Sequence, residues 1–226
     1  MRERATPLAM ALALAVAGIA CGGGESGVVD QYFSAINAGD TNTLSSFAAV
    51  TFDKKVDEWK VVSVGPETRS PVKLPDLVAK QQEVAAAHAQ NMKDYRAWGN
   101  DLEIYPKLNR VKELRKDEKK IPTSLQEIAD KYDVFDAKNK ELSDQLADAK
   151  LAVESEKRNT QLSVGLIDDV ETMSGEVFSK TVDLDLTIDG QVQPYVMGLR
   201  RYKLEAEVPG MRIVARWVVE TLDPKG

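Results

Sequence analysis

The sequence predicts an α+β fold in which the two ends of the chain build a helix-covered antiparallel sheet and the middle forms an inserted antiparallel helical hairpin. Three observations carry this. Val182, Leu184, Leu186 and Ile188 alternate with Asp183, Asp185 and Thr187, the period of a strand with one buried face. From Leu125 a three-four step runs through Ile128, Tyr132, Phe135, Asn139, Leu142, Leu146, Ala149 and Val153, a heptad seam interrupted only by Asn139. Hydrophobic residues make up 43% of the 226 with a single cysteine, so the cores must be held by burial rather than by disulfides. The predicted order is residues 1–20 as a signal peptide, 21–27 as a tether, 28–74 and 175–226 as the two parts of the sheet domain, and 75–174 as the helical insertion.

The first element is a targeting signal. Arg2 and Arg4 precede an uninterrupted apolar run, Leu8 to Ala20, and small residues surround Cys21. Charged start, short apolar run and small-residue cleavage site are the order of a secretory signal peptide. The run is shorter than the roughly 20 residues a membrane-crossing helix needs. Gly18-Ile19-Ala20-Cys21 resembles the lipobox of bacterial lipoproteins, with Gly18 where the family usually has a branched apolar residue. The resemblance implies a diacylglyceryl group on the Cys21 sulfur, cleavage before Cys21 and acylation (palmitate) of the new amino end. One acyl chain holds a protein to a membrane only marginally, whereas several on one cysteine anchor it durably. A plain cleaved signal with an incidental free cysteine is the alternative. Gly22-Gly23-Gly24-Glu25-Ser26-Gly27 reads as a flexible tether. Gly22 rather than Asp after the cysteine implies, by lipoprotein sorting, the periplasmic side of the outer membrane. Loss of residues 1–20 takes the net charge from −6 to −7, a balance that gives no support for nucleic-acid binding.

Next, Val28, Val29, Tyr32, Phe33 and Ile36 fall at helical spacing, and Asn37-Ala38-Gly39 stops that helix. Asp40 caps a second short helix carrying Leu44 and Phe47. Trp59 to Val64 reads as a strand closed by Gly65-Pro66. In the middle zone, Leu77, Val84, His88, Met92, Tyr95, Trp98 and Leu102 form one apolar stripe, broken at Pro106 and resumed by Ile104, Leu108, Val111 and Leu114. Lys119 to Pro122 is the predicted connector to the heptad seam, with Thr123 and Gln126 placed for a capping box. Leu162, Leu166, Val170 and Met173 predict a shorter helix leading back to the sheet. There, Asp189-Gly190 is a turn signal. Tyr195, Met197 and Leu199 then occupy odd positions, whereas Tyr202, Leu204, Ala206 and Val208 occupy even ones. A β-bulge at Arg200-Arg201 is the expected cause. Pro209-Gly210 predicts a turn and Ile213 to Leu222 a last strand apolar on both faces, which places it centrally in a sheet or under a helix.

The segment VVDQYFSAINAGDTNTLSSF together with KTVDLDLTIDG, QPYVMGLRRYKLEAEV and MRIVARWVVETL resembles the NTF2-like superfamily, a cone of curved antiparallel sheet closed by N-terminal helices. It departs from that pattern in carrying about a hundred helical residues where the family has one helix and short strands. The resemblance implies a pocket in the cone, walled by Tyr195, Met197, Tyr202 and Trp217. The alternative is that these side chains fill the core.

The remaining motifs carry little chemistry. His88 is the only histidine, so a His-rich zinc site has no ligands and a Ser-His-Asp triad would have to use it. It reads as a seam residue. Asp185 to Gly190 mimics the start of a calcium loop, but Val196 stands where a bidentate Glu is required. Lys107 to Lys120 holds seven Lys or Arg and three acids. That run reads as a solvated helix face, with phospholipid head groups or an acidic partner as the functional alternative. Asn139 inside the seam can set register or partner number. The expectation is therefore a membrane-anchored envelope lipoprotein acting without catalysis as a scaffold or interaction subunit. It would have no cofactor and no metal, and a protein partner on its hairpin. The alternatives are a small apolar ligand in the cone and, third, an enzyme of unassigned reaction. Oligomeric state is left open.

Overall fold

The computed structural model describes residues 24–205, 213 and 215–226. The predicted signal peptide, Cys21 and the Pro209-Gly210 turn lie outside the described residues. The chain is a mixture of helix and open antiparallel sheet, in agreement with the α+β expectation.

Helix α1 (Glu25–Ala38) buries Val29, Tyr32, Phe33 and Ala35 on one face. It ends at Gly39, whose φ of 65° a side chain with a Cβ rarely adopts. Because α1 begins at Glu25, the predicted tether is shorter than expected, and Glu25 to Gly27 are helical. Asp40 caps α2 (Thr41–Phe47) as expected, accepting from the Thr43 backbone N–H at 3.0 Å. Strand β1 (Glu58–Val64) follows. The next strand, β2 (Thr68–Pro71), is exposed throughout and has no apolar alternation to announce it.

Strands β3 (Gly175–Ile188) and β4 (Gln191–Leu204) form one long hairpin, and β5 (Val218–Pro224) completes the sheet. The sheet order is β1-β3-β4-β5, with β2 continuing beside β1 on the edge of β3. The β3–β4 turn is Asp189 (φ 51°) and Gly190 (φ 73°), two residues with positive φ as a type I′ turn requires.

Both faces of this hairpin are covered, and that corrects the bulge expected at Arg200-Arg201. The β3–β4 ladder runs without interruption from Gly175↔Leu204 to Ile188↔Gln191. The side chains change phase because different helices cover opposite faces. On the first face Phe178, Val182, Leu184, Leu186, Tyr195, Met197 and Leu199 pack with Val29, Tyr32, Phe33 and Phe47 of α1 and α2. On the second face Val177, Tyr202 and Leu204 pack with Leu74 and Val153 from the helical segment. The bulge lies instead on β5. Gly198 pairs with Thr221 and Leu199 with Val219, which leaves Glu220 as the extra residue. Nor is β5 central. It is an edge strand whose Val218 and Val219 are buried because helices lie on both sides of it.

Between β2 and β3 the chain makes α3 (Leu74–Gly99), α4 (Ile104–Lys116) and α5 (Gln126–Val164). Helices α3 and α5 run antiparallel, because His88 meets Asn139 and Tyr95 meets Tyr132 and Phe135, while Leu74 shares a cluster with Val153. Helix α4 folds onto the far end of this pair, where Leu108, Val111, Ile128 and Ala129 make a third, separate core. Four details differ from expectation. The break after α3 falls at Gly99 rather than Pro106, which sits in the first turn of α4 where its missing N–H is harmless. Leu102 is 92% exposed and leaves the stripe. A 3-10 turn (Thr123–Leu125) precedes α5, and no side-chain capping bond forms at its start. The shorter helix predicted around Leu162 to Met173 does not form. Helix α5 continues for 39 residues, and only a 3-10 turn (Val170–Thr172) follows it.

Candidate functional site

The heptad seam of α5 does not stop at Val153. The same three-four step continues through Glu156, Thr160 and Ser163, and all three are buried against the sheet. Their polarity is matched from below. Ser163 Oγ accepts from the Tyr202 backbone N–H at 3.1 Å and donates to the Arg216 carbonyl at 2.8 Å. Glu156 accepts from the Tyr202 hydroxyl at 3.0 Å and from Arg200 Nη1 at 3.0 Å. Arg200 Nη2 reaches Glu220 at 2.8 Å. The bulge on β5 is what makes this possible: the inserted residue puts Glu220 on the second face while Val219 and Leu222 still pack into the first core.

This cluster holds two carboxylates around one guanidinium. Burial pushes the Glu220 carboxyl above its ordinary pKa, and the neighbouring Arg200 offsets only part of that. Burial also raises the Tyr202 hydroxyl well out of its normal range. Burial acts against the Arg200 charge, but Tyr202, Glu220 and Glu156 together outweigh it and hold its pKa high. Beside the cluster lies an open cleft of about 410 Å³, floored by Thr181, Gly198 and Thr221 and walled by Arg200, Glu220 and Pro66. A Cβ at Gly198 would lie 2.6 Å from Thr221 Oγ1, so a larger residue here would have to displace that hydroxyl. Arg200 Nε is buried without a partner. The net charge of the cluster is negative when both acids are ionised, so it repels anions. Its geometry is that of an anchor that locks α5 to the sheet.

The far end of the hairpin is built differently. Tyr95, Trp98, Tyr132 and Phe135 meet ring to ring, with centroids 5.4 to 6.2 Å apart. Cations lie over these rings: Lys112 is 5.6 Å from both Tyr95 and Tyr132, Arg115 is 5.2 Å from Tyr132, and Lys131 is 5.3 Å from Trp98. Arg115 also grips Asp133, with Nη2 to Oδ2 at 2.6 Å, and that bond holds the Asp133 carboxyl below its ordinary pKa. The Tyr95 hydroxyl beside Lys112 raises the lysine's pKa. A cleft of about 140 Å³ opens between α3 and α5 next to this cluster, lined by Asn91, Met92, Tyr95, Tyr132, Phe135, Asp136 and Asn139.

The residues singled out from sequence distribute as follows. Tyr195, Met197 and Trp217 are buried in the first core, while Tyr202 lies on the opposite face under α5, so the four do not wall one pocket. His88 and Asn139 prove to be one feature, with His88 Nε2–H donating to Asn139 Oδ1 at 3.0 Å across the hairpin. Asp185 to Ile188 belong to β3, and among the described residues no group of three or more His, Cys, Asp or Glu is arranged to hold a metal ion. No described helix is long and apolar enough to cross a membrane. Sequence reasoning missed the Glu156, Arg200, Tyr202 and Glu220 cluster. Its signal was present: the seam continues in phase with polar residues, and the strand changes phase at Arg200. Comparison with family models, with curated proteins and with solved structures found no match.

Proposed function

We propose that this chain is an envelope lipoprotein, anchored through Cys21 at the outer membrane, whose helical hairpin is a non-catalytic docking arm for an acidic protein partner. In this reading the sheet and its opening helices form an NTF2-like head. What supports the head is α1 and α2 packed on one face of an antiparallel sheet whose long strands come from the far end of the chain. What supports the arm is one observation: the end of the hairpin has its own core, shares no buried residue with the two sheet cores, and carries Lys112, Arg115 and Lys131 over its aromatic rings. A coiled-coil arm stiffened in this way presents cations at fixed positions, and fixed charge lowers the ordering cost of docking.

The test is crosslinking in the native envelope followed by capture of the full chain. The wild type is expected to retain a partner that a variant with Lys112, Arg115 and Lys131 changed to Gln loses, with both proteins equally folded by circular dichroism. Equal capture by that variant overturns the docking arm. Separately, Cys21→Ser is expected to move the protein out of the membrane fraction, and its retention there overturns the anchor.

A further inference from the structure

The cavity between α3 and α5 has a composition that solvated helix faces do not need. Three aromatic side chains, Tyr95, Tyr132 and Phe135, share its wall with the soft thioether of Met92. Asp136 lies at its margin, and its carboxylate takes part in no hydrogen bond or ion pair among the described residues. Asn91 Nδ2 is buried there with no hydrogen-bond partner. An orphaned buried donor costs free energy that a bound acceptor would recover. Electron-rich ring faces beside a carboxylate attract an organic cation, most strongly where water is excluded.

We propose that this cavity is a binding site for a small organic ammonium ion carrying an oxygen acceptor a few bonds from the nitrogen. The ammonium sits against the rings of Tyr95, Tyr132 and Phe135 with Asp136 as counter-ion, and the oxygen accepts from Asn91 Nδ2. The size agrees: about 140 Å³ is of the order of the roughly 150 Å³ of a cavity known to hold benzene, and the cleft is open to water on the side of exposed Asp136, so the ligand has about six to eight non-hydrogen atoms and keeps one side solvated. Lys112 already lies 5.6 Å from two of these rings, and Arg115 lies 5.2 Å from Tyr132, close enough to Asp136 to feel its charge. That leaves the ammonium the Phe135 side of the cleft, and Lys112 repels a second cation. It therefore limits affinity, and its removal strengthens binding. The site lies beside the docking arm's cations and does not depend on the arm having a partner.

The experiment is a titration of the full-length protein, labelled with nitrogen-15, with choline chloride at constant ionic strength. The control ligand is 3,3-dimethylbutan-1-ol, which has choline's shape without its charge. Choline is expected to shift the amides of Asn91, Tyr95, Tyr132 and Phe135 saturably, with the neutral alcohol weaker by about tenfold or more. Asp136→Asn is expected to weaken choline by a similar factor, Asn91→Ala by a few-fold, and Lys112→Met to tighten it. Equal binding of the alcohol and choline, an unchanged Asp136→Asn variant, shifts confined to other regions, or no saturable shift each overturns the proposal.

Discussion

The first sheet core and the hairpin end are both apolar clusters, yet they are held together by different forces. In the first core Val29, Tyr32, Phe33, Val182, Leu186 and Met197 are wholly removed from water. Each such side chain stabilises the fold by about 1.5 to 3 kcal/mol. At the hairpin end the buried apolar set is small, Leu108, Val111, Leu114, Ile128 and Ala129, and the aromatic rings around them are half-exposed under cations. That end relies on contacts of about 0.5 to 1.5 kcal/mol apiece. The difference predicts that the sheet core unfolds as a whole and that the hairpin end opens by itself.

Substitutions should separate the two. Phe33→Ala removes a fully buried ring and is expected to cost about 3 to 5 kcal/mol, read as a drop in the global urea midpoint. Unchanged global stability would erase the distinction. Arg200→Met is expected to cost nearly as much, about 3 kcal/mol, because buried Glu156 and half-buried Glu220 are left without their shared cation. Leu108→Ala should cost about 2 kcal/mol, but as local opening: faster hydrogen exchange across α4 with little change in the sheet. Exchange that rises equally everywhere would show one cooperative unit.

The smallest effect is in the acid response, where one carboxylate from each region carries the opposite sign. Asp133 at the hairpin end has a lowered pKa, so its stabilisation is present above the ordinary carboxylate value and is lost as pH falls through the lowered one. Glu220 in the head has a raised pKa, so its ionised form costs stability above that value, and the cost is relieved as pH falls through it toward 4.5. Glu25, held low by Lys180, works in the direction of Asp133 from within the head. Glu220→Gln should therefore gain stability over wild type near pH 7 and lose that advantage near pH 4. Asp133→Asn should weaken α4 protection at pH 7 and not at low pH. Parallel pH profiles for the two variants would contradict these opposite signs.

Much of this architecture is legible in the sequence. The period-two run from Val182 to Ile188 defines one face of β3, Asp189-Gly190 marks a type I′ turn, and the Leu125 seam marks the longest helix. The departures share one cause. Local periodicity treats β4 as if only one of its faces could be buried, so the phase change at Arg200 looks like a bulge. A second covering helix explains it, but pairing between Tyr202 and residues 39 to 46 positions upstream is not visible in local periodicity. Likewise, Glu156, Thr160 and Ser163 seem to end the apolar seam, because a polar residue reads as exposed until its partners are known. Strand β2 has no pattern to read. The ammonium site is invisible for another reason: Asn91 and Asp136 are 45 positions apart and belong to separate helices.

Helix α5 is one unbroken rod from the tip of the hairpin to the sheet. Glu156 clamps it near one end, and Gln126 begins the other, which places about 45 Å of lever beyond the fulcrum at 1.5 Å per residue. A tilt of roughly 5° at the clamp swings the tip by about 4 Å over that length. Repacking of the guanidinium between its two carboxylates would therefore be felt as a large excursion at the distant end of the helix.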